Sequence, residues 1–412
     1  MSAATNTCTA PIPVIRTVRA RRVLPPTAAF AGAALGFAGI YLASGAPTSL
    51  LVQYQAAWGF PEWMLTVAFA AYAFGLVAAL LVTGSLSDIL GRRPVLIASL
   101  AGELAAMLLF VFAPNIGWVI AARIVQGVAT GAATSAFTAT LGELAPERHK
   151  KLAAIIGGAA PAGGLGLGAL LSGIAVQFSS SASVIVFVSL AVIMVLAGLV
   201  AVFSQETVSR RGGALRSLVP RVVVPRNARR EFGSVIPVLL ASWMLAALFL
   251  GLVPTIIRTI FGIDSGLVSG VTVFLEPGAA ALAGFVLGRF TSRSTVVVGG
   301  VAVLVGTAVI VGAIALHLLP LVWVGAVIGG VGFGASFSGS MRILAPLAQP
   351  TERAGLFAAV FLVAYLSFGV PAIVAGQLVG PVGLLATVLG YGVVILLIAV
   401  VAILAQLRLA RS

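Results

Sequence analysis

The chain has 412 residues, of which 60% are hydrophobic and only 8% charged, with a mean hydropathy of +1.18. A soluble domain carries about 25% charge, so this composition excludes one and indicates a chain that crosses a membrane many times. The net charge of +14 would suggest nucleic acid for a soluble protein, but in a membrane chain the placement of the basic residues decides their meaning, and no nucleic-acid partner is expected.

One cysteine, Cys8, and two histidines, His149 and His317, exclude an internal disulfide and leave no donor set for a metal, so neither metal nor other cofactor is expected. Residues 1–26 form a polar tail with Arg16, Arg19, Arg21 and Arg22 just before the first apolar run. That run is too long for a signal-peptide core, so the tail is expected to remain uncleaved. Length, charge gaps and helix breakers predict an all-α membrane protein of twelve spans, at roughly 27–53, 62–87, 94–113, 117–141, 152–176, 183–205, 234–257, 265–288, 295–316, 321–342, 354–378 and 382–407. A basic loop, 206–233, separates a first six-helix half (27–205) from a second (234–407), and 408–412 form the C-terminus. Of the 24 Lys and Arg, all but Arg123 and Arg258 fall on one side of this arrangement, which puts both termini and the central loop in the cytoplasm of a multi-pass protein of the inner (plasma) membrane.

The halves read as pseudo-symmetric copies. Gly127-x-x-x-Gly131 in span 4 is matched by Gly330-x-x-x-Gly334 in span 10, and Pro146-Glu147-Arg148 by Pro350-Thr351-Glu352-Arg353. A weaker echo links Gly84-x-x-x-Asp88 to Gly284-x-x-x-Gly288-Arg289. Such repeats imply a site between the halves near mid-membrane.

Between spans 2 and 3 stands Gly84-Ser85-Leu86-Ser87-Asp88-Ile89-Leu90-Gly91-Arg92-Arg93-Pro94-Val95-Leu96. Asp88 faces Arg92 at i,i+4, Gly91 supplies a sharp turn, Gly84 leaves room for another backbone, and Pro94 suits the first turn of the next helix. This order resembles the signature loop of the major facilitator superfamily of secondary transporters. The resemblance implies that Gly84, Asp88, Gly91, Arg92 and Arg93 form a conformational lock with Glu143 at the end of span 4 and with the start of span 11. In span 4, Arg123-x-x-Gln126-Gly127 resembles the pattern of the drug:proton antiporter branch, in which the arginine is associated with proton coupling. Arg123, Gln126 and Thr130 share one helix face, and a charge inside a span is costly unless it has a role. Span 5 resembles the antiporter tract in Gly157, Pro161, Gly164 and Gly168, which serve as packing or hinge positions, but Ala160 stands where glycine precedes the proline.

Span 1 keeps a family proline, Pro47, yet contains no acid, so proton coupling must use another helix. Glu276 in span 8 is the first candidate, because it lies about eleven residues into the span and Pro277 beside it loosens the backbone ladder. Glu103 in span 3 is second and is expected to pair with Arg123. On the helices that line the centre in this family, Tyr41, Tyr72, Gln126, Thr130, Trp243, Phe333, Phe337 and Tyr365 are candidate cavity residues, suited to a lipophilic or weakly polar solute. No phosphate-binding loop is present, so ATP is not the energy source, and no enzymatic activity is expected. The expected function is proton-coupled efflux by a monomer whose partners are a small-molecule substrate, protons and the lipid bilayer. Nutrient uptake on the same fold and a flux-free sensor are the alternatives.

Overall fold

The computed structural model describes residues 23–84, 86–208, 222–349 and 352–411. Cys8, the tail arginines, Ser85, the central-loop residues 209–221 with Arg210, Arg211, Arg216 and Arg221, and Pro350 and Thr351 lie outside the described residues. Twelve helices are long and apolar enough to cross a membrane, and no strand occurs among the described residues. They are α1 (Pro26–Trp58), α2 (Trp63–Thr83), α3 (Arg92–Val111), α4 (Ile116–Leu144), α5 (Lys150–Phe178) and α6 (Ala182–Phe203) in the first half. The second half holds α7 (Arg229–Gly251, continued by Val253–Thr259), α8 (Gly266–Val286), α9 (Ser292–Ala315), α10 (Leu319–Leu344), α11 (Arg353–Val382) and α12 (Leu384–Arg411). Successive crossings alternate in direction, so the loops bearing Arg92, Lys150, Arg229, Arg293 and Arg353 share one end, called here the basic end. The loops with Gly59, Asn115 and Gly262 form the far end.

Several helices outrun the apolar stretches that predict them. α7 begins at Arg229 after a single 3-10 turn, Arg226–Ala228, so Arg229 and Arg230 belong to its first turn rather than to the central loop. The physical reason is that a helix does not stop where its apolar run stops: its basic first turn can stand at headgroup level, where charge is tolerated. Both α1 and α7 are interrupted, at Ala46 before Pro47 and at Leu252 before Pro254. Each proline sits in the first turn of the segment that follows, where its own missing N–H is harmless, but the carbonyl four residues earlier loses its donor.

The packing repeats between halves. α1 lies against α4, α5 and α6, α2 against α4, and α3 against α4 and α6; α7 lies against α10, α11 and α12, α8 against α10, and α9 against α10 and α12. The paired glycines explain the α2–α4 and α8–α10 contacts. A Cβ on Gly127 or Gly131 would come 2.2 and 2.3 Å from the carbonyl oxygens of Tyr72 and Leu76, and one on Gly330 or Gly334 would come 2.1 and 2.2 Å from those of Glu276 and Ala280. Gly164 and Gly168 similarly seat α5 on α1, at the side chain of Tyr41 and the carbonyl of Leu42. Pro161 lies inside α5 without interrupting it. The halves meet along α2–α11 and α5–α8.

The glycines therefore differ in what they can tolerate. Gly127→Leu is expected to lower stability by roughly 1–3 kcal/mol or more, since backbone stands where the side chain must go. Gly158→Ala, where a Cβ meets nothing within 4 Å, should be neutral. Thermal denaturation midpoints of the purified variants in detergent measure the difference.

Candidate functional site

At the basic end, Gly91 turns the chain with φ at +100°, a conformation natural to glycine alone, and α3 starts at once. The exposed backbone N–H groups of that start need acceptors. Glu206, just beyond α6, provides them: its carboxylate accepts from the N–H of Arg92 at 2.9 Å and of Arg93 at 3.2 Å. A Cβ on Gly91 would run into this carboxylate. The Arg92 guanidinium bonds Ser87 Oγ at 2.7 Å and Glu143 Oε1 at 3.0 Å and forms an ion pair with Asp88. Thr207 donates to the other Glu143 oxygen. These bonds join residues of the first half and the start of the following loop, Glu206 and Thr207, and none of them involves α11. No second backbone comes within 4 Å of a Cβ built on Gly84, whose nearest neighbour is Leu80 O of its own helix. Sequence reasoning did not single out Glu206; its signal was an acid placed directly after a span at the entrance to a basic loop.

Midway through the first half lies a buried polar cluster. Arg123 is 2% exposed, so it does not reach for headgroups. Its Nη1 donates to Ser44 O at 2.9 Å and Gln126 Oε1 at 2.7 Å, its Nε donates to Ala68 O at 3.3 Å, and its guanidinium carbon stands 4.3 Å from the centre of the Tyr72 ring. Gln126 Nε2 donates to Ala43 O at 2.9 Å. A buried cation is thus held by carbonyl oxygens and an aromatic face. The expected Glu103–Arg123 ion pair is not formed. Instead Thr130 donates to Glu103 Oε1 at 2.5 Å, and Glu103 Oε2, in a residue fully shielded from solvent, has no hydrogen-bond partner. The cause is that α1 and α2 present carbonyl oxygens, Ser44 O and Ala68 O, within hydrogen-bond reach of the guanidinium. Tyr41, on the same side of α1, shares a hydrogen bond of 2.9 Å with Thr134.

The second half presents rings instead. Trp243 on α7 has ring centroids 5.3 Å from Phe333, 6.0 Å from Phe337, 4.9 Å from Tyr365 and 5.9 Å from Phe368. Phe368 in turn lies 4.6 Å from Phe69 of α2, so the wall crosses between halves. Trp243 Nε1 is buried without a partner. Glu276 is 1% exposed, and its Oε1 also has no partner. Its place is the counterpart of Tyr72, since the two carbonyls receive the matched glycines Gly330 and Gly127. The structure therefore sorts the proposed cavity residues into two groups, with Tyr41, Tyr72, Gln126 and Thr130 in the polar cluster and Trp243, Phe333, Phe337 and Tyr365 in the aromatic wall.

The two ends of the bundle are packed differently. Between described residues, the hydrogen bonds that join the halves all lie at the far end: Arg258 Nη1 to Val52 O at 3.5 Å, Ser265 Oγ to Gln177 Oε1 at 2.8 Å and Leu267 N to Gln177 Oε1 at 3.4 Å. There α5 and α8 approach backbone to backbone, with a Cβ on Gly173 only 2.4 Å from Gly266 O. The same face of α8 continues at i,i+7 and i,i+4 spacing through Pro277 and Ala281 to Gly284 and Gly288. At Gly163 the gap from a built Cβ to Ala281 has widened to 3.5 Å, and a Cβ built on Gly284, or on Gly288 in the 3-10 turn that follows α8, meets nothing within 4 Å. Among the described residues, the hydrogen bonds between the halves lie at the far end, and α5 and α8 part toward the basic end.

Comparison with known proteins agrees with this architecture. The sequence model of the Major Facilitator Superfamily matches residues 29–316. No curated protein matches the sequence. Among solved structures, the chain superposes with a TM-score of 0.74 on a bacterial homolog of the human lysosomal transporter Spinster in an inward-facing, unoccupied conformation, at 11% identity over 92% of this chain and 97% of the other. The chain, a membrane transporter of twelve helices in two six-helix halves, belongs to the major facilitator superfamily.

Proposed function

We propose that the chain is a secondary transporter of the inner membrane that exports small lipophilic or weakly polar molecules in exchange for protons, by alternating access, with the basic end in the cytoplasm. The observation that carries this reading is Glu276: a carboxyl buried at mid-helix beside Pro277, with an unpartnered oxygen. A carboxyl so placed is expensive unless it exchanges a proton or meets a ligand. The wall around Trp243 offers ring faces and few charges, which suits an apolar solute. The parting of α5 and α8 toward the basic end supports an inward-open state, and the basic residues gathered there support its cytoplasmic orientation. In that state the Asp88–Arg92–Glu143 constellation is complete on its own half and free to engage the start of α11 when the basic end closes.

The coupling assignment is tested in sealed vesicles with an imposed pH gradient, using a panel of fluorescent lipophilic cations and neutral dyes. Glu276→Gln should abolish gradient-driven flux of the transported dye while retaining dye exchange, and Glu103→Gln should leave gradient-driven flux. Undiminished gradient-driven flux in Glu276→Gln removes this residue from the mechanism.

Asp88→Asn should insert normally yet transport more slowly. Loss of such a pair shifts the balance between two states by about 1–3 kcal/mol, around tenfold in population. Normal transport by Asp88→Asn at every pH tested would dismiss the lock.

Orientation is checked on a Cys8→Ser background. Gly262→Cys should be labelled by an impermeant thiol reagent only from outside, and Ala214→Cys, beyond the described residues, only from the cytoplasm. The opposite pattern inverts the topology.

A further inference from the structure

The break in α1 creates a specific chemical deficit. Pro47 has no N–H, so Ala43 O, which an uninterrupted helix would satisfy from position 47, is left without its helical donor. A buried carbonyl without a donor is costly, and in hydrocarbon no water is at hand to fill the gap. Gln126 Nε2 stands at 2.9 Å from that oxygen, and Arg123 Nη1 stands at 2.9 Å from the next carbonyl, Ser44 O. The two donors are tied to each other by the 2.7 Å bond from Arg123 Nη1 to Gln126 Oε1. Arg123 also reaches Ala68 O and lies against the Tyr72 ring, so the pair is anchored to α2 as well. Both side chains are 2% exposed or less.

We propose that Arg123 and Gln126 are positioning residues: Gln126 replaces, from α4, the backbone hydrogen bond that Ala43 O loses at Pro47, Arg123 holds Gln126 and the next carbonyl in place, and together they fix the angle of the Pro47–Trp58 segment that closes the far end against α7. The segment's link to α7 is the contact of Arg258 with Val52 O. In this role Arg123 keeps its charge throughout and needs no proton transfer. The guanidinium is chosen for its several donors in a fixed plane, which a lysine ammonium cannot match across two helices. The inference stands apart from the transport reading, because it concerns how α1 is held and not what is carried.

The second half marks the contrast. Pro254 breaks α7 as Pro47 breaks α1, yet Ala326, one turn before Gly330, stands where Arg123 stands before Gly127; among the described residues a side-chain donor to an α7 carbonyl, Tyr391, reaches Met244 O and not Leu250 O. The staple belongs to the first half alone.

Hydrogen–deuterium exchange of the full-length protein in nanodiscs tests this without any substrate. Gln126→Leu and Gln126→Met each remove both the donor to Ala43 O and the acceptor for Arg123, and neither adds a titratable group. Each should speed exchange of the peptide covering residues 40–52 by roughly tenfold, to the same degree at pH 5.5 and pH 8. Pro47→Ala restores an N–H to Ala43 O, so adding either Gln126 change to Pro47→Ala should alter exchange by less than about twofold. An equal effect of the Gln126 changes with and without Pro47→Ala, an effect confined to one pH, or unchanged exchange in both single variants overturns the proposal.

Discussion

In a hydrocarbon solvent, helices gain nothing from hiding leucine from water, so what holds this bundle together is how closely backbones can approach. The glycine pairs of α4 and α10 and the glycines of α5 and α8 set those approaches, with carbonyl oxygens standing where any Cβ would have to go. Once Gly127 and Gly131 seat α4 on α2, the rest of the first half follows: Arg123, one turn earlier, comes under Tyr72 and within reach of Ala68 O, and Thr130 reaches Glu103 on α3. The same geometry in the second half places Glu276 where Tyr72 stands in the first. Position in this fold is set by glycines, and chemistry is set by what occupies the neighbouring sites.

Much of this was legible from the residues. Twelve crossings follow from apolar length alone, because a span has no alternative to being a helix. The repeat was legible in Gly127-x-x-x-Gly131 and Gly330-x-x-x-Gly334, whose matched contacts make the resemblance structural. Helix starts were less so, since Arg229 and Arg230 extend α7 past its apolar run. The partner of Arg123 was misread for a different reason. Charge pairing is visible in a sequence, whereas carbonyl oxygens presented by two neighbouring helices are not, and Arg123 donates to Ser44 O and Ala68 O rather than to Glu103. Glu206 escaped notice likewise, because its role is to receive backbone N–H groups released by the turn at Gly91.

The two halves share a frame but have diverged in content. The first carries the buried arginine, a carboxyl, a glutamine and hydroxyls, while the second carries the rings around Trp243 and a carboxyl with an unpartnered oxygen. Phe69 and Tyr72 on α2 belong to the apolar core that the second half otherwise builds, so the boundary between polar and aromatic chemistry does not coincide with the boundary between repeats.

The glycines at the parted end of α8 have a thermodynamic consequence of their own. Where leucine or isoleucine side chains interlock, each contact made costs about 0.5–1 kcal/mol of rotamer freedom, and that freedom returns when the contact breaks. Gly284 and Gly288 have no rotamers to surrender. Drawing the end of α8 and the turn after it up to α5, or letting them fall away, leaves side-chain entropy untouched at these positions. The two arrangements can then lie close in free energy, and small differences elsewhere, such as one ion pair or one proton, are enough to tip the balance between them.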